Sequence, residues 1–394
     1  MQVALRQTPN VSNPSSRTTD APHRPRRYVG RSRRCSPTGL CQAGGLQSEY
    51  DAVGLISACL GILIASSNLS SEQQKSRAEV DLSRSNDTFL RRSANRVTDL
   101  DWGASADVGP RDSMEDSYQV MKGSDHLFAS VYDGHGGSGS SAYLRLNFYK
   151  FINTVLGKNR KLFNEGKAGD VSADIEKMMS DTFSIVDSAL IDHIAGLGDP
   201  ECWSGSTATV CLICSSLLVC ANVGDSKAVL CRRGKPIDLS AEHRPTTATT
   251  CGRGEIKRVN TAGGWVSQSR VCGILAVTRA FGDYEFKGGR YELLEELQKG
   301  NDRQSIVATM ESPPVISTPH CFTVNRSTED EFVILATDGL WDTMNSAQAV
   351  TFVRAELKKN PALTMQDVSN ALVARALRCR TQDNVACVVV KLNR

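Results

Sequence analysis

Short apolar runs, each closed by glycine or a polar turn, recur from about residue 102 to the end of the chain. Those at 118–121, 127–131, 208–214, 217–223 and 228–231 have the length and β-branched content of strands. Two longer segments, 143–156 and 175–193, carry the 3.6-residue period of helices. Met365, Val368, Leu372 and Ala376 fall on one face of another helix, and 291–298 reads as a polar helix within an insertion or flap spanning about 243–312. The helices come in groups instead of alternating with strands. That order predicts an α+β fold with packed sheets over 99–394, not a βαβ series. No internal repeat and no nucleotide-binding glycine loop interrupts it.

Several of these runs end in an acid. The run 127–131 breaks into Asp133-Gly134-His135-Gly136-Gly137, 217–223 runs into Gly224-Asp225, and 332–337 runs into Asp338-Gly339. A carboxylate at the end of a strand is held by the sheet behind it, and adjacent glycines let a backbone carbonyl or a phosphate approach. One such string is more often a polar turn than a site. Three aspartates delivered in this way point to a hard-cation site with oxygen ligands. Arg111-Asp112-Ser113-Met114-Glu115-Asp116 adds a guanidinium and two further acids, and Asp383-Asn384 a last one. Few of these aspartates have Lys or Arg at helical ion-pair spacing, and unpaired acids are costly to gather unless a cation sits among them. An all-oxygen set favours Mg²⁺ or Mn²⁺ over zinc.

Composition changes the picture mainly at the N-terminus. The chain has 394 residues and a net charge of +3, too small to imply nucleic acid as a partner. Residues 1–48, however, hold eight arginines, no lysine and a single acid, Asp20, a net of +7. An Arg- and Ser-rich, acid-poor head is the composition of a chloroplast or mitochondrial transit peptide. A disordered basic tail, of a cytosolic or nuclear protein, is the alternative. An uncharged stretch of 14 residues follows at 52–65, short of the roughly 20 needed to span a bilayer, so membrane association and a docked helix both stay open. The rest of 49–98 reads as polar linker. The thirteen cysteines are taken as reduced, and Cys211 and Cys214, three apart in a strand, face opposite sides of the sheet.

Taken together, Arg111 to Asp116, Asp133 to Gly137, Gly205-Ser206-Thr207-Ala208, Asn222 to Leu230, Leu275 to Asp283, Asp338 to Asp342 and Asp383-Asn384 resemble, in order, the metal-dependent Ser/Thr protein phosphatases of type 2C. The resemblance covers about 100–394. It implies two packed antiparallel β-sheets flanked by helices, with a binuclear metal centre at one end. Carried over by position, Asp133 bridges two Mg²⁺ or Mn²⁺ ions and Asp338 and Asp383 bind one of them. Glu115 and the Gly134 carbonyl, with Asp116 beside them, serve the other, and Asp225 with Asp338 matches a weaker third-ion site. Arg111 would hold the substrate phosphate and His135 would protonate the leaving oxygen. His243, in Glu242-His243-Arg244-Pro245, reads as structural.

The implied activity is hydrolysis of phosphoserine and phosphothreonine in proteins by metal-activated water. A catalytically weak phosphoprotein-binding module and a hydrolase of small phosphate esters are the competing classes. The first is disfavoured because every matched ligand position keeps its acid. From His243 through Glu255, Lys257-Arg258, Gly263-Gly264-Trp265 and Arg270-Val271-Cys272-Gly273 the sequence is most similar to the thylakoid-associated members of plant and algal chloroplasts, which act on light-harvesting antenna proteins. Those carry a C-terminal membrane anchor, whereas this sequence stops at Arg394. In the hormone co-receptor members a Trp lies several residues beyond the Gly-Gly turn. Here Trp265 follows Gly264 directly, so inhibition by a hormone receptor is not expected.

Overall fold

A computed structural model describes residues 97–197, 204–300 and 302–393. The expected transit segment 1–48 and the apolar stretch 52–65 lie outside the described residues. Among the described residues no helix is long and apolar enough to cross a membrane.

The strands are β1 (Trp102–Asp107), β2 (Ser117–Lys122), β3 (Leu127–Tyr132), β4 (Gly134–His135), β5 (Gly205–Ser206), β6 (Ala208–Ile213), β7 (Leu217–Val223) and β8 (Lys227–Arg232). They continue with β9 (Lys235–Asp238), β10 (Val266–Ser267), β11 (Arg270–Val271), β12 (Phe281–Gly282), β13 (His320–Asn325), β14 (Asp330–Ala336) and β15 (Val385–Lys391). Two five-stranded sheets form, in the orders β1-β15-β14-β8-β9 and β13-β7-β6-β3-β2, and every pairing within them is antiparallel. This is the expected α+β architecture of two packed antiparallel sheets flanked by helices.

Period-two alternation explains the layering. On β3, Leu127, Ala129 and Val131 point between the sheets and meet Leu230, Leu335 and Val388 of the other sheet in one core cluster. Phe128 and Tyr132, on the opposite face, pack under the helices Gly139–Lys158 and Ala168–Leu197 through Phe148 and Phe183. The second sheet buries Phe332, Ile334, Cys387 and Val389 against the helices Ser346–Lys359 and Met365–Arg378. Because both faces of β3 are covered, all six of its residues are buried. The strand is accordingly apolar on both faces except at Ser130, whose hydroxyl donates to the Gln119 carbonyl at 3.2 Å. Cys211 faces the inter-sheet core and Cys214, the residue after β6, the helix-side core, opposite faces as their spacing predicts.

Register then fixes where the acids emerge. Tyr132 pairs with Ser117, Val223 with Ala208 and Ala336 with Cys387. The exits of β3, β7 and β14 and the entries to β2 and β15 therefore lie at the same end of the sandwich. The segment beyond β9 builds a smaller core of its own from Val259, Trp265, Val271, Phe286, Leu293 and Met310. Trp265 is buried in that core and so is not presented at the surface. Its helix Thr250–Thr261 is tied down by the buried Glu255. That carboxylate accepts from Arg258 (3.0 Å), Arg279 (2.7 Å) and Thr278 Oγ1 (2.7 Å). Burial alone would raise its pKa, but Arg279 and Arg258 outweigh burial and hold it down at about 2.

Candidate metal centre and active site

At that shared end, one carboxylate oxygen each from Asp133, Asp225 and Asp338 lie within 4.8 Å of one another. Each follows a strand exit by one or two residues, so its backbone is fixed by sheet hydrogen bonding before its side chain is placed. Thr207 completes the anchoring of Asp133. Its N–H donates to the Asp133 carbonyl at 2.9 Å, and its hydroxyl accepts from the Asp133 N–H at 3.1 Å. Gly224 leaves room for this threonine, since a Cβ there would sit 2.4 Å from the Thr207 methyl.

The remaining sequence-predicted acids form a second tier. Asp116 is buried and accepts from the Thr337 hydroxyl at 2.7 Å, one residue before Asp338. Glu115 is held by its backbone, its N–H donating to Asn384 Oδ1 at 2.8 Å and its carbonyl accepting from Ser141 Oγ at 2.5 Å. A Cβ on Gly134 would collide with that same carbonyl at 2.5 Å, which is why glycine stands beside Asp133. Asp383 is turned to Arg111, whose Nη2 lies 2.6 Å from Oδ2 while its Nε donates to the Gln382 carbonyl at 3.0 Å. Glu115, Asp116 and Asp383 thus stand around the three-aspartate group, and Asp116 is the strongest charged neighbour of Asp133.

So much like charge has a titration signature. Burial, followed by Asp116, Asp338 and Asp225, lifts Asp133 well above the ordinary carboxylate range. Burial and Asp225 push Asp338 to about 8, and burial raises Asp116 to about 7. Carboxyls that hold protons this tightly are short of positive charge, and a divalent ion among them supplies it. The donor set, all oxygen, suits Mg²⁺ or Mn²⁺.

Two partners were not visible in the one-dimensional pattern. His135 places Nε2 2.8 Å and 2.9 Å from the two oxygens of Asp283, a buried carboxylate from a flap-side segment 148 residues away. Burial alone would depress the imidazole, but the adjacent Asp283 carboxylate overrides it and the His135 pKa is raised. Gly205 leaves space for this pair, because a Cβ there would sit 2.2 Å from His135 Nε2 and 2.3 Å from Asp283 Oδ1. Asp283 itself sits in the left-handed region at φ 48°, which aspartate tolerates better than most residues. The motif Leu275 to Asp283 contains it, but nothing in its spacing points to His135.

The second partner is Arg244, which contacts Asp225, Asp338 and Asp342. The acids are therefore not without a basic partner, as helical spacing suggested. Arg244 arrives from 19, 94 and 98 residues away. His243 is buried and neutral, and burial followed by Arg279 lowers it to about 3. Its Nδ1 accepts the Gly224 N–H at 3.1 Å. His243, Cys251 and His320 also bring ligand atoms within 4.8 Å. The neutral His243 ring, however, carries its proton on Nε2 and offers an ion no lone pair there.

The comparisons with known proteins agree with this geometry. The family model "Protein phosphatase 2C" matches residues 71–385. Protein phosphatase 2C 57 of Arabidopsis thaliana is 37% identical over 303 residues, covering 76% of each chain. Probable protein phosphatase 2C 2 of Oryza sativa subsp. japonica is 32% identical over 302 residues, covering 73% of this chain and 70% of the relative. Among solved structures, the serine-threonine phosphatase 2C from Toxoplasma gondii superposes with a TM-score of 0.58 at 19% identity, over 74% of this chain and 94% of that one, a likeness of fold. The chain belongs to the protein phosphatase 2C family and is a Ser/Thr protein phosphatase. The family depends on Mg²⁺ or Mn²⁺ at a site of more than one ion.

The His135–Asp283 pairing makes a direct prediction. Asp283→Asn removes the charge that raises the imidazole, so the His135 titration midpoint, followed by NMR in the metal-free protein, should fall below its wild-type value.

Proposed function

We propose that the chain hydrolyses phosphoserine and phosphothreonine in proteins with two divalent ions held among Asp133, Asp338, Asp383, Glu115 and the Gly134 carbonyl. The convergence of Asp133, Asp225 and Asp338, with its shortage of positive charge, is the observation that carries this reading. When bound, such ions lower the pKa of an attacking water and offset the charge developing on the phosphoryl oxygens.

The protein's own groups supply the rest. Arg111, half exposed at the rim, presents a guanidinium whose fork matches two phosphate oxygens. Asp383 holds that fork in the free enzyme, and the phosphate competes with it for the same N–H groups. His135, with Nε2–H directed at Asp283, keeps Nδ1 for the leaving group. A raised pKa means that more of it carries the second proton near neutrality, so it donates that proton as the serine or threonine oxygen departs. Asp116 and Thr337 brace the turn into Asp338. Substrates on the chloroplast thylakoid surface fit the flap sequence. A transit role for 1–48 and membrane association through 52–65 fit the Arg-rich head and the apolar run behind it.

Manganese-dependent phosphate release from a phosphothreonine peptide, with a sugar phosphate as the comparison substrate, tests the activity. The peptide should be strongly preferred. Asp133→Asn should lower kcat by well over tenfold, a loss exceeding about 1.4 kcal/mol of transition-state stabilisation. A variant keeping a tenth of wild-type kcat at saturating Mn²⁺ would remove Asp133 from the shared position.

Fusing residues 1–98 to a fluorescent protein tests the address. Chloroplast fluorescence with a membrane-bound fraction is expected. Nuclear or cytosolic signal would overturn import, and a wholly soluble plastid pool would overturn membrane association.

A further inference from the structure

Arg244 is the cation that the structure itself places against the outer acids. Its Nε lies 2.6 Å from Asp225 Oδ2, its Nη2 2.9 Å from Asp338 Oδ2 and its Nη1 3.2 Å from Asp342 Oδ1. All three nitrogens of one planar fork are used, each on a different carboxylate, a geometry that a lysine ammonium cannot copy. The position is built into the backbone. The His243 N–H donates to the Gly224 carbonyl at 2.9 Å while Gly224 donates back to the imidazole, so the residue before Arg244 is clamped to the residue before Asp225. Thr278 adds a bond from its N–H to the His243 carbonyl at 2.8 Å, with its hydroxyl, 3.0 Å from the same carbonyl, directed mainly at Glu255. This arginine is therefore held at both its root and its tip, unlike a surface side chain that happens to meet an acid.

We propose that Arg244 is a resident cation of this centre, occupying among Asp225, Asp338 and Asp342 the place a further divalent ion would take and so limiting how many ions the chain holds. The inference rests on the reading of the aspartate cluster as a divalent-metal centre. A guanidinium and a divalent ion cannot share these three carboxylates without strong repulsion, since two like charges about 4 Å apart at a protein surface oppose each other by several kcal/mol. An ion entering on this side must displace the fork, whereas ions bound toward Asp133, Glu115 and Asp383 need only the Arg244–Asp338 contact to loosen. Asp225, in this account, is a ligand held closed by its own arginine.

The test counts bound ions instead of activity. Mn²⁺ is titrated into the metal-stripped full chain and into Arg244→Gln, with bound and free Mn²⁺ separated by electron paramagnetic resonance. The variant should take up one more Mn²⁺ than wild type, or bind the weakest ion at least about tenfold more tightly, the scale of one neighbouring charge at a half-buried site. Equal stoichiometry and equal affinities would overturn the proposal. Should Arg244→Gln fail to fold, Arg244→Lys is read in the same titration. It keeps the charge but loses the fork, so the weakest ion should tighten by a few fold, and no change would again overturn it. A wild-type chain that bound no Mn²⁺ would contradict the metal centre itself, an outcome distinct from unchanged stoichiometry.

Discussion

The structure depends on crowding negative charge at one end of a β-sandwich. Asp133, Asp225 and Asp338 bring oxygens within 4.8 Å of one another, and Asp116 and Asp383 add to the field around them. Like charges at such separations are unfavourable in a partly buried setting, and the molecule answers in three ways. Protons bind more tightly to Asp133 and Asp338, Arg244 and Arg111 reach in from outside, and the site gains affinity for divalent cations. The acids lie past the strand ends, one or two residues beyond the core residues Tyr132, Val223 and Ala336, so the side chains that carry the charge are separate from the strand residues that fill the cores.

That separation has a functional side. Both guanidiniums grip a carboxylate in the chain as it stands, Arg111 on Asp383 and Arg244 on Asp225 and Asp338. In the proposed reading Arg111 would exchange that partner for a substrate phosphate, and Arg244 would swing aside for an entering ion. His135 and Asp283 are coupled in the same manner across the flap boundary, and Gly205 gives them the room. The flap is consequently part of the site. Its small core around Trp265, with the Glu255–Arg258–Arg279 network at its base, sets where Asp283 and Arg244 can stand.

Much of this was legible in the chain. The short apolar run at 127–131 marked a buried strand, and the acids past β3, β7 and β14 marked the site because a strand end is a rigid place to put a carboxylate. Cys211 and Cys214 were legible for the same reason, since a period of two sends residues three apart to opposite faces. What stayed hidden was long-range pairing. Arg244 meets acids 94 and 98 residues away, and His135 meets Asp283 148 residues away. Local spacing records neither, because both contacts exist only after the flap folds back on the sandwich. The role of Asn384, whose amide holds the Val108 and Ser113 carbonyls and whose oxygen accepts from Glu115, was hidden likewise.

The central claim is that this acid cluster is held in balance by exchangeable positive charge. Proton release on Mn²⁺ binding tests it most directly, by calorimetric titration of the metal-stripped protein at one pH in buffers of different ionisation enthalpy. Asp338 at about 8 and Asp116 at about 7 carry protons near neutrality that a bound ion must displace, and burial with the neighbouring acids raises Asp133 in the same direction. The sign is fixed. Carboxyls whose pKa is raised in the folded, metal-free chain favour that state at low pH and lose the advantage as pH rises toward 8. Mn²⁺ should therefore bind more tightly as pH rises, levelling off above about 8. The account predicts at least about one proton released per chain at pH 7. Heats independent of the buffer, with an affinity unchanged between pH 6 and 8, would contradict it.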